Sequence, residues 1–222
     1  MEEAKWRTEM TRIAQIDPKT GIWNKESFCS KTQKYLAAHM DEEYVIARWD
    51  IDNFKVFNDT FGVIAGDQLL RGIGEKYIEG RKGNGLHGGL TYGHWDADHF
   101  VSLWAFNRFN AQKLYECTLE QLCQVFPDYN FSIRLGLYRV ENPLTDVGVM
   151  CDRALMALNS IKGNYGKNYA WYDKSMRMGI VEEQEIESTM KKALSNGEFI
   201  VYLQPQYNYD TGDIIGAEAL TR

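Results

Sequence analysis

The segment WDIDNFKVFNDTFGVIAGD, residues 49–67, gathers carboxylates, amides and one lysine directly after an apolar stretch. Residues 44–50 (YVIARWD) favour a strand, and leucine and isoleucine recur at helical spacing from Asp67 to about Ile78. The predicted local order is therefore strand, polar loop and helix, with polar side chains collected where the strand ends.

Two of these carboxylates, Asp50 and Asp52, are predicted to share a face because side-chain direction alternates along a strand. Mg²⁺ prefers one or two carboxylates and keeps its other positions for water and phosphate oxygens. Asp98, in a turn between strand candidates, is the natural second ligand. Alternatively, the strand-end carboxylates only accept hydrogen bonds from nearby backbone amides.

The composition is that of an ordinary globular protein. The 222 residues suffice for one full domain with extra pieces at its ends, and 44% hydrophobic with 25% charged residues argues against long disorder. The net charge of -6 is spread along the chain without a basic block, so we expect no nucleic-acid partner. The four cysteines, Cys29, Cys117, Cys123 and Cys151, lack metal-ligand spacing and are predicted to be reduced thiols.

The chain has no apolar run near the roughly 20 residues that a bilayer span needs, and its N-terminus lacks the apolar region of a signal peptide. We therefore expect no membrane contact by this segment and a cytoplasmic location. A membrane anchor upstream stays open.

Strand and helix patterns alternate along the chain, which predicts an α/β or α+β sheet with helices packed on it. Helices are predicted over residues 1–16, 25–40, 67–78, 110–126, 146–162 and 182–196, and strands over residues 44–50, 100–104, 130–140 and 169–172 and from Phe199 onward. Residues 91–95 (TYGHW) are predicted to form a sharp polar turn.

Several motifs in this order resemble those of GGDEF domains, the diguanylate cyclases and their relatives that handle GTP and cyclic di-GMP. The motifs are DIDNFK at 50–55, Asn58-Asp59, Gly66-Asp67, DPKTGIWNK at 17–25 and DRAL at 152–155. The resemblance covers most of residues 13–173. It implies a central, mostly antiparallel sheet flanked by helices, with a nucleotide-cyclase-like, ferredoxin-like βαββαβ core.

The resemblance also implies a nucleotide site. Mg²⁺ would be held by Asp50, Asp98 and the backbone of Ile51, while Asn58 and Asp67 would recognise guanine through complementary donors and acceptors. Lys55 would face phosphate. Helix capping and turn formation are the alternative roles of Asn58 and Asp67.

The turn that names the family departs from its pattern here. It falls on Asp96-Ala97-Asp98-His99-Phe100, where only Asp98 and Phe100 match. A carboxylate about 4 Å from a phosphate oxygen costs roughly 4 kcal/mol at an effective dielectric near 20, unless Asp96 turns outward or binds metal. Histidine, largely neutral at pH 7, replaces the motif's glutamate, so no catalytic residue is assigned.

The basic residues that bind phosphate in the family's late helix are only partly matched in this sequence. Lys162 and Lys167 are available, but Asn159 stands near an expected lysine and the spacing is lengthened. The family's product-inhibition motif would fall on His87 and Leu90, so that site is predicted to be absent.

The C-terminal residues resemble the opening of an EAL domain, the phosphodiesterase that hydrolyses cyclic di-GMP. The match lies in EFIVYLQPQY at 198–207 and GAEALTR at 216–222, where Glu218 corresponds to a metal-binding glutamate of the complete domain. The predicted organisation is a lead-in helix (1–16), a GGDEF-like domain (17–174), a linker helix (175–197) and the truncated start of an EAL domain (198–222).

The sequence leaves three functions open. The leading hypothesis is a degenerate GGDEF domain that binds GTP or cyclic di-GMP and regulates its own downstream EAL domain. The second is an active diguanylate cyclase that makes cyclic di-GMP from two GTP molecules. The third is a dimerisation scaffold without nucleotide binding, since the resemblance implies a homodimer in any case.

Overall fold

The computed structural model describes residues 14–82, 89–164 and 166–221. Nearly all of the predicted lead-in helix lies outside the described residues. The chain divides into two compact units after Met176, and each unit is described by itself.

The first unit contains a five-stranded sheet in the order β2-β3-β1-β4-β5. Its strands are β1 (Tyr44–Ile51), β2 (Gly89–His94), β3 (Phe100–Ala105), β4 (Ile133–Arg139) and β5 (Tyr169–Trp171). Every neighbouring pair is antiparallel except β4 and β5. The predicted, mostly antiparallel sheet is therefore confirmed.

Helices connect these strands. They are α1 (Lys25–Ala38), α2 (Phe54–Phe61), α3 (Val63–Lys82), α4 (Ala111–Val125) and α5 (Val147–Asn159), with a short 3-10 helix at Phe106–Arg108. Asn24, Asn110 and Asp146 cap α1, α4 and α5 by accepting a hydrogen bond from a first-turn backbone amide. Strands β1 to β4 with α2–α3 and α4 form the predicted βαββαβ core.

The central strand β1 carries helices on both faces. Its residues Val45, Ala47, Trp49 and Ile51 pack in one core cluster with side chains of α2, α3 and α4. Tyr44 and Ile46 pack in a second cluster with side chains of α1 and α5. Because both faces are covered, all eight residues of β1 are buried.

The second unit consists of most of α6 (Lys174–Ser195) and a hairpin of β6 (Val201–Tyr207) and β7 (Ile214–Thr221). The residues of β6 are all exposed within this chain.

The structure corrects several predicted boundaries. Residues 91–94 belong to β2, and the turn comes afterwards, because Gly93 is needed for close packing rather than for bending: a Cβ there would lie 2.8 Å from Cβ of Phe28. Helix α6 begins at Lys174, earlier than the predicted residue 182, since the Asp173 carboxylate accepts a hydrogen bond from Ser175 N at 2.8 Å and caps it. Helices α1 and α5 end before residues 40 and 162.

Candidate functional site

Asp50 lies near the end of β1 and is 5% exposed. Its Oδ2 is 3.0 Å from Nζ of Lys162, which comes from the turn after α5. Its Oδ1 is buried and has no hydrogen-bond partner among the described residues. A buried carboxylate oxygen without a partner is costly, so this atom fits a site that binds a cation.

Asp98 extends the pairing of β1 with β3. The last paired residues are Trp49 and Phe100, so Asp98 falls opposite Ile51, and its Oδ2 accepts a hydrogen bond from Ile51 N at 2.8 Å. Burial raises the pKa of the Asp98 carboxyl and the charge of Asp50 raises it further, although the hydrogen bond from Ile51 lowers it. The two carboxylates therefore interact electrostatically.

Asp52 has different partners. Its carboxylate lies 3.1 Å from Nη1 of Arg134 on β4 and accepts a hydrogen bond at 2.7 Å from Oγ of Ser132, the residue before β4. Asp50 and Asp52 therefore have different partners: Asp50 contacts Lys162, whereas Asp52 contacts Arg134 and Ser132. No pattern in the sequence marks Arg134 as its partner.

Asp50, Asp98 and the backbone of Ile51, for which the resemblance implies a metal, lie together at this end of β1. Among the described residues there is no group of three or more histidine, cysteine or acidic side chains arranged to hold a metal. Two carboxylates nevertheless suit Mg²⁺, which takes its remaining ligands from water and phosphate. Such an ion would neutralise phosphate charge at this corner.

Asn58 on α2 contacts α3 at Gly66, the residue directly before Asp67. A Cβ on Gly66 would stand 1.9 Å from Asn58 Oδ1, so only glycine leaves room for the amide. This Oδ1 is buried and has no hydrogen-bond partner among the described residues. Lys55 is exposed on α2.

Lys19 is a site residue that sequence reasoning missed. Its Nζ lies 2.7 Å from Oδ1 of Asp67, and both side chains are about half exposed. Asp17 holds the turn that contains Lys19 by accepting hydrogen bonds from N and Oγ1 of Thr20. Burial raises the pKa of Asp17, but the hydrogen bonds from Thr20 and the nearby His94 outweigh it, and the net shift is downward. The motif at residues 17–25 is visible in the sequence, but its contact with Asp67 is not.

In the turn between β2 and β3, the side chains of Asp96 and His99 pair with each other. His99 Nδ1 lies 3.2 Å from Oδ1 of Asp96, whose side chain is 79% exposed. Ala97 has φ of +50°, in the left-handed region that favours glycine. Phe100 is buried and stacks on Trp49 with ring centroids 4.5 Å apart, which fixes the end of the turn.

Residues beside the turn anchor it to the domain. The imidazole of His94 is buried between Asp17 and the turn, with Nδ1 3.1 Å from Asp17 Oδ1 and Nε2 3.0 Å from the carbonyl oxygen of Ala97. The ring of Trp95 has Lys25 Nζ 4.6 Å and Arg48 Cζ 4.4 Å from its centroid. Both contacts hold the turn against α1 and β1.

The family model described as "Diguanylate cyclase, GGDEF domain" matches residues 14–168. The chain belongs to the GGDEF family. The match includes the motif residues at the end of β1, on α2–α3 and in the turn.

Curated relatives of this GGDEF chain are much longer proteins. It is 25% identical to the signaling protein YkoW of Bacillus subtilis, with 100% of this chain covering 28% of that protein. It is 23% identical to the bifunctional diguanylate cyclase/cyclic di-GMP phosphodiesterase MucR of Pseudomonas aeruginosa, with 99% of this chain covering 32% of MucR. The chain therefore spans about a third or less of the length of these relatives.

Solved GGDEF structures share the fold. The coiled coil and GGDEF domain of DgcB from Caulobacter crescentus in complex with c-di-GMP matches with a TM-score of 0.56 at 19% identity, over 77% of this chain and 92% of that one. The S helix-GGDEF-EAL structure of LapD from Vibrio cholerae, bound to c-di-GMP, matches with a TM-score of 0.61 at 14% identity, over 99% of this chain and 51% of that one.

Glu218 lies outside the residues that the GGDEF family model matches. It is on β7 opposite Gln204 of β6 and is exposed within this chain.

Across the described residues, every helix is too short or too polar to cross a bilayer.

Proposed function

We propose that this GGDEF domain is catalytically degenerate and acts in cyclic di-GMP signalling as a GTP-sensing regulator of a downstream EAL phosphodiesterase. The observation that carries the proposal is the contact of Asp96 with His99. It puts an exposed carboxylate and an imidazole where the family pattern has a glycine and a glutamate. A fixed negative charge at a phosphate site opposes binding in a reactive pose, and the general acid or base is changed.

Retained nucleotide binding is supported by the opposite side of the site. The buried, unpartnered oxygens of Asp50 and Asn58 leave a cation and a hydrogen-bond donor to be supplied by a ligand. A guanine amine is such a donor, and Asp67, which directly follows the glycine that contacts Asn58, would accept a second hydrogen bond from the same base. Mg²⁺ at Asp50 and Asp98 would accompany the nucleotide.

A downstream EAL domain is supported by the reach of the comparisons. The match to the S helix-GGDEF-EAL structure of LapD covers 99% of this chain, including residues after the GGDEF match. The exposed apolar side chains of β6 and β7, such as Leu203 and Ile215, are consistent with strands that belong to a larger core. Glu218 would then be an EAL metal ligand in the full-length protein. Because this domain would sense GTP, we propose that it works in the cytoplasm.

The decisive experiment measures hydrolysis of cyclic di-GMP by the full-length protein with and without GTP. A change in rate on adding GTP is expected, and calorimetric titration of this chain with GTP and Mg²⁺ should give saturable heat. No heat at millimolar nucleotide would leave only a scaffold role, in which a homodimer forms independently of nucleotide.

An active diguanylate cyclase is the second candidate, because Asp98 remains in place and bonded to Ile51. Chromatography of a reaction with GTP distinguishes the two functions, with Asp50→Ala as the control. Cyclic di-GMP formed at a rate typical of enzymes and lost in that variant would replace the regulatory proposal.

A further inference from the structure

Lys162 is the one described cation in an ion pair with Asp50, and backbone hydrogen bonds hold the turn that carries it. It follows α5 in a turn where Lys162 N donates to the carbonyl of Asn159 at 3.1 Å and Asn164 N donates to that of Ile161 at 3.0 Å. Ile161 is 3% exposed and anchors this turn in the core. Gly163, with φ of +85°, allows the chain to reverse directly after the lysine.

The contact differs from an ordinary surface ion pair. The side chain of Asp50 is 7% exposed while that of Lys162 is 47% exposed, so the ammonium reaches from solvent to a buried carboxylate. Asp98 adds a second carboxylate whose interaction with Asp50 is unfavourable. One ammonium therefore balances part of the negative charge that would otherwise attract a divalent cation.

A divalent cation at Asp50 would face this ammonium across a distance of a few ångströms. Like charges at such separation repel strongly at the low effective dielectric of a partly buried site. The lysine can withdraw, because nearly half of its side chain is exposed and its stem is flexible.

We propose that Lys162 is a tethered counter-ion that competes with divalent cations for Asp50, so that metal binds tightly only when the ammonium moves to another anion, such as a nucleotide phosphate. The proposal deepens the function proposed above and rests on it only for the presence of a nucleotide. Lys162 is thus a residue that sets metal affinity, while Asp50 is the ligand.

The test titrates Mn²⁺ alone, without nucleotide, into the full 222-residue chain and follows the electron paramagnetic resonance signal of free Mn²⁺. Lys162→Gln should lower the dissociation constant about tenfold, since removing a neighbouring positive charge removes a repulsion of at least this size. Lys34→Gln makes the same charge change at an exposed position of α1 and should alter the constant less than about twofold. Lys162→Arg should bind as weakly as the unaltered protein.

Asp50→Asn in the Lys162→Gln background locates the effect, because it should abolish the gain. Equal Mn²⁺ affinity in the Lys162→Gln and Lys34→Gln variants, or no binding by Lys162→Gln at millimolar Mn²⁺, would overturn the proposal. Circular dichroism confirms that each variant is folded. Because no nucleotide is used, a failure here is distinct from a failure to bind GTP.

Discussion

The two sides of the site differ in the polar groups that they bury. The strand-end half, formed by the end of β1 with α2 and α3, buries Asp50 and the amide oxygen of Asn58 and leaves one oxygen of each without a hydrogen-bond partner among the described residues. The turn half, residues 95–99, exposes Asp96 and pairs it locally with His99. Buried unpartnered groups reduce stability. A ligand would supply the missing partners of these two oxygens in the strand-end half, whereas the buried group without a described partner in the turn half is a donor, Nε1 of Trp95.

The largest mutational effect is expected in the strand-end half, because this half is tightly packed. Gly74 on α3 has no room for a side chain, since a Cβ would lie 1.9 Å from the backbone oxygen of Thr20. Gly74→Ala should therefore lower the free energy of unfolding by about 3 kcal/mol in urea denaturation. Gly166→Ala is the control, because its Cβ would meet nothing closer than Asn164 Oδ1 at 3.5 Å and should change stability by less than about 0.5 kcal/mol. Similar midpoints for both variants would contradict this packing.

Two aspartates of the site should respond oppositely to loss of charge. Asp52→Asn breaks a largely buried contact with Arg134 and should cost about 2 kcal/mol at pH 7. Asp98→Asn keeps an acceptor for Ile51 N and removes a carboxylate whose pKa is raised in the folded state. It should therefore stabilise the protein slightly at pH 7.

The sign of the pH dependence follows from that raised pKa. Folded Asp98 binds its proton more tightly than unfolded Asp98, so its contribution favours folding at low pH and is lost as pH rises through the folded pKa. The advantage of Asp98→Asn should shrink on acidification from pH 7, as measured by denaturation at several pH values. A constant difference, or destabilisation by both variants, would contradict the burial of the Asp98 charge.

The turn half can be tested through nucleotide affinity. Asp96→Asn removes the exposed carboxylate and should strengthen GTP binding about tenfold in calorimetry, because solvent screens much of the full repulsion. Asp128→Asn makes the same charge change at an exposed position before β4 and should leave affinity unchanged. Equal effects would mean that Asp96 acts only through net charge.

The smallest effect is expected from the backbone of the turn. Ala97 has a left-handed backbone conformation that disfavours alanine. Ala97→Gly should therefore raise the free energy of unfolding, measured by thermal denaturation, by about 0.5–1 kcal/mol. Ala37→Gly, on the exposed side of α1, should lower it by about the same amount. A loss of stability in Ala97→Gly would indicate that the alanine methyl group makes a compensating contact.

Sequence is most informative where side-chain pattern and local structure coincide. The apolar run of β1, the capped helices and the motif order predict the sheet, its antiparallel pairing through the resemblance, and the positions of Asp50 and Asp98. Glycine is misleading at Gly93, because its role is close packing against Phe28 rather than a turn. Tight packing of this kind depends on partners distant in the chain.

Partners of charged groups are the least predictable part of the site. Asp52 with Arg134 and Asp67 with Lys19 join residues far apart in sequence. Lysine and arginine are frequent and long, so many pairings satisfy a carboxylate equally well until the fold is known. Sequence indicates Lys162 as a phosphate candidate, but its contact with Asp50 depends on the turn after α5.

The packing of Trp95 has an optical consequence. Its indole lies directly before Asp96 in the chain, with Lys25 and Arg48 beside the ring, and indole emission responds to nearby charge. A nucleotide that shifts the turn or its charges should therefore change the intrinsic fluorescence of the protein. Trp95→Phe should remove that change, so the domain contains its own reporter of an occupied site.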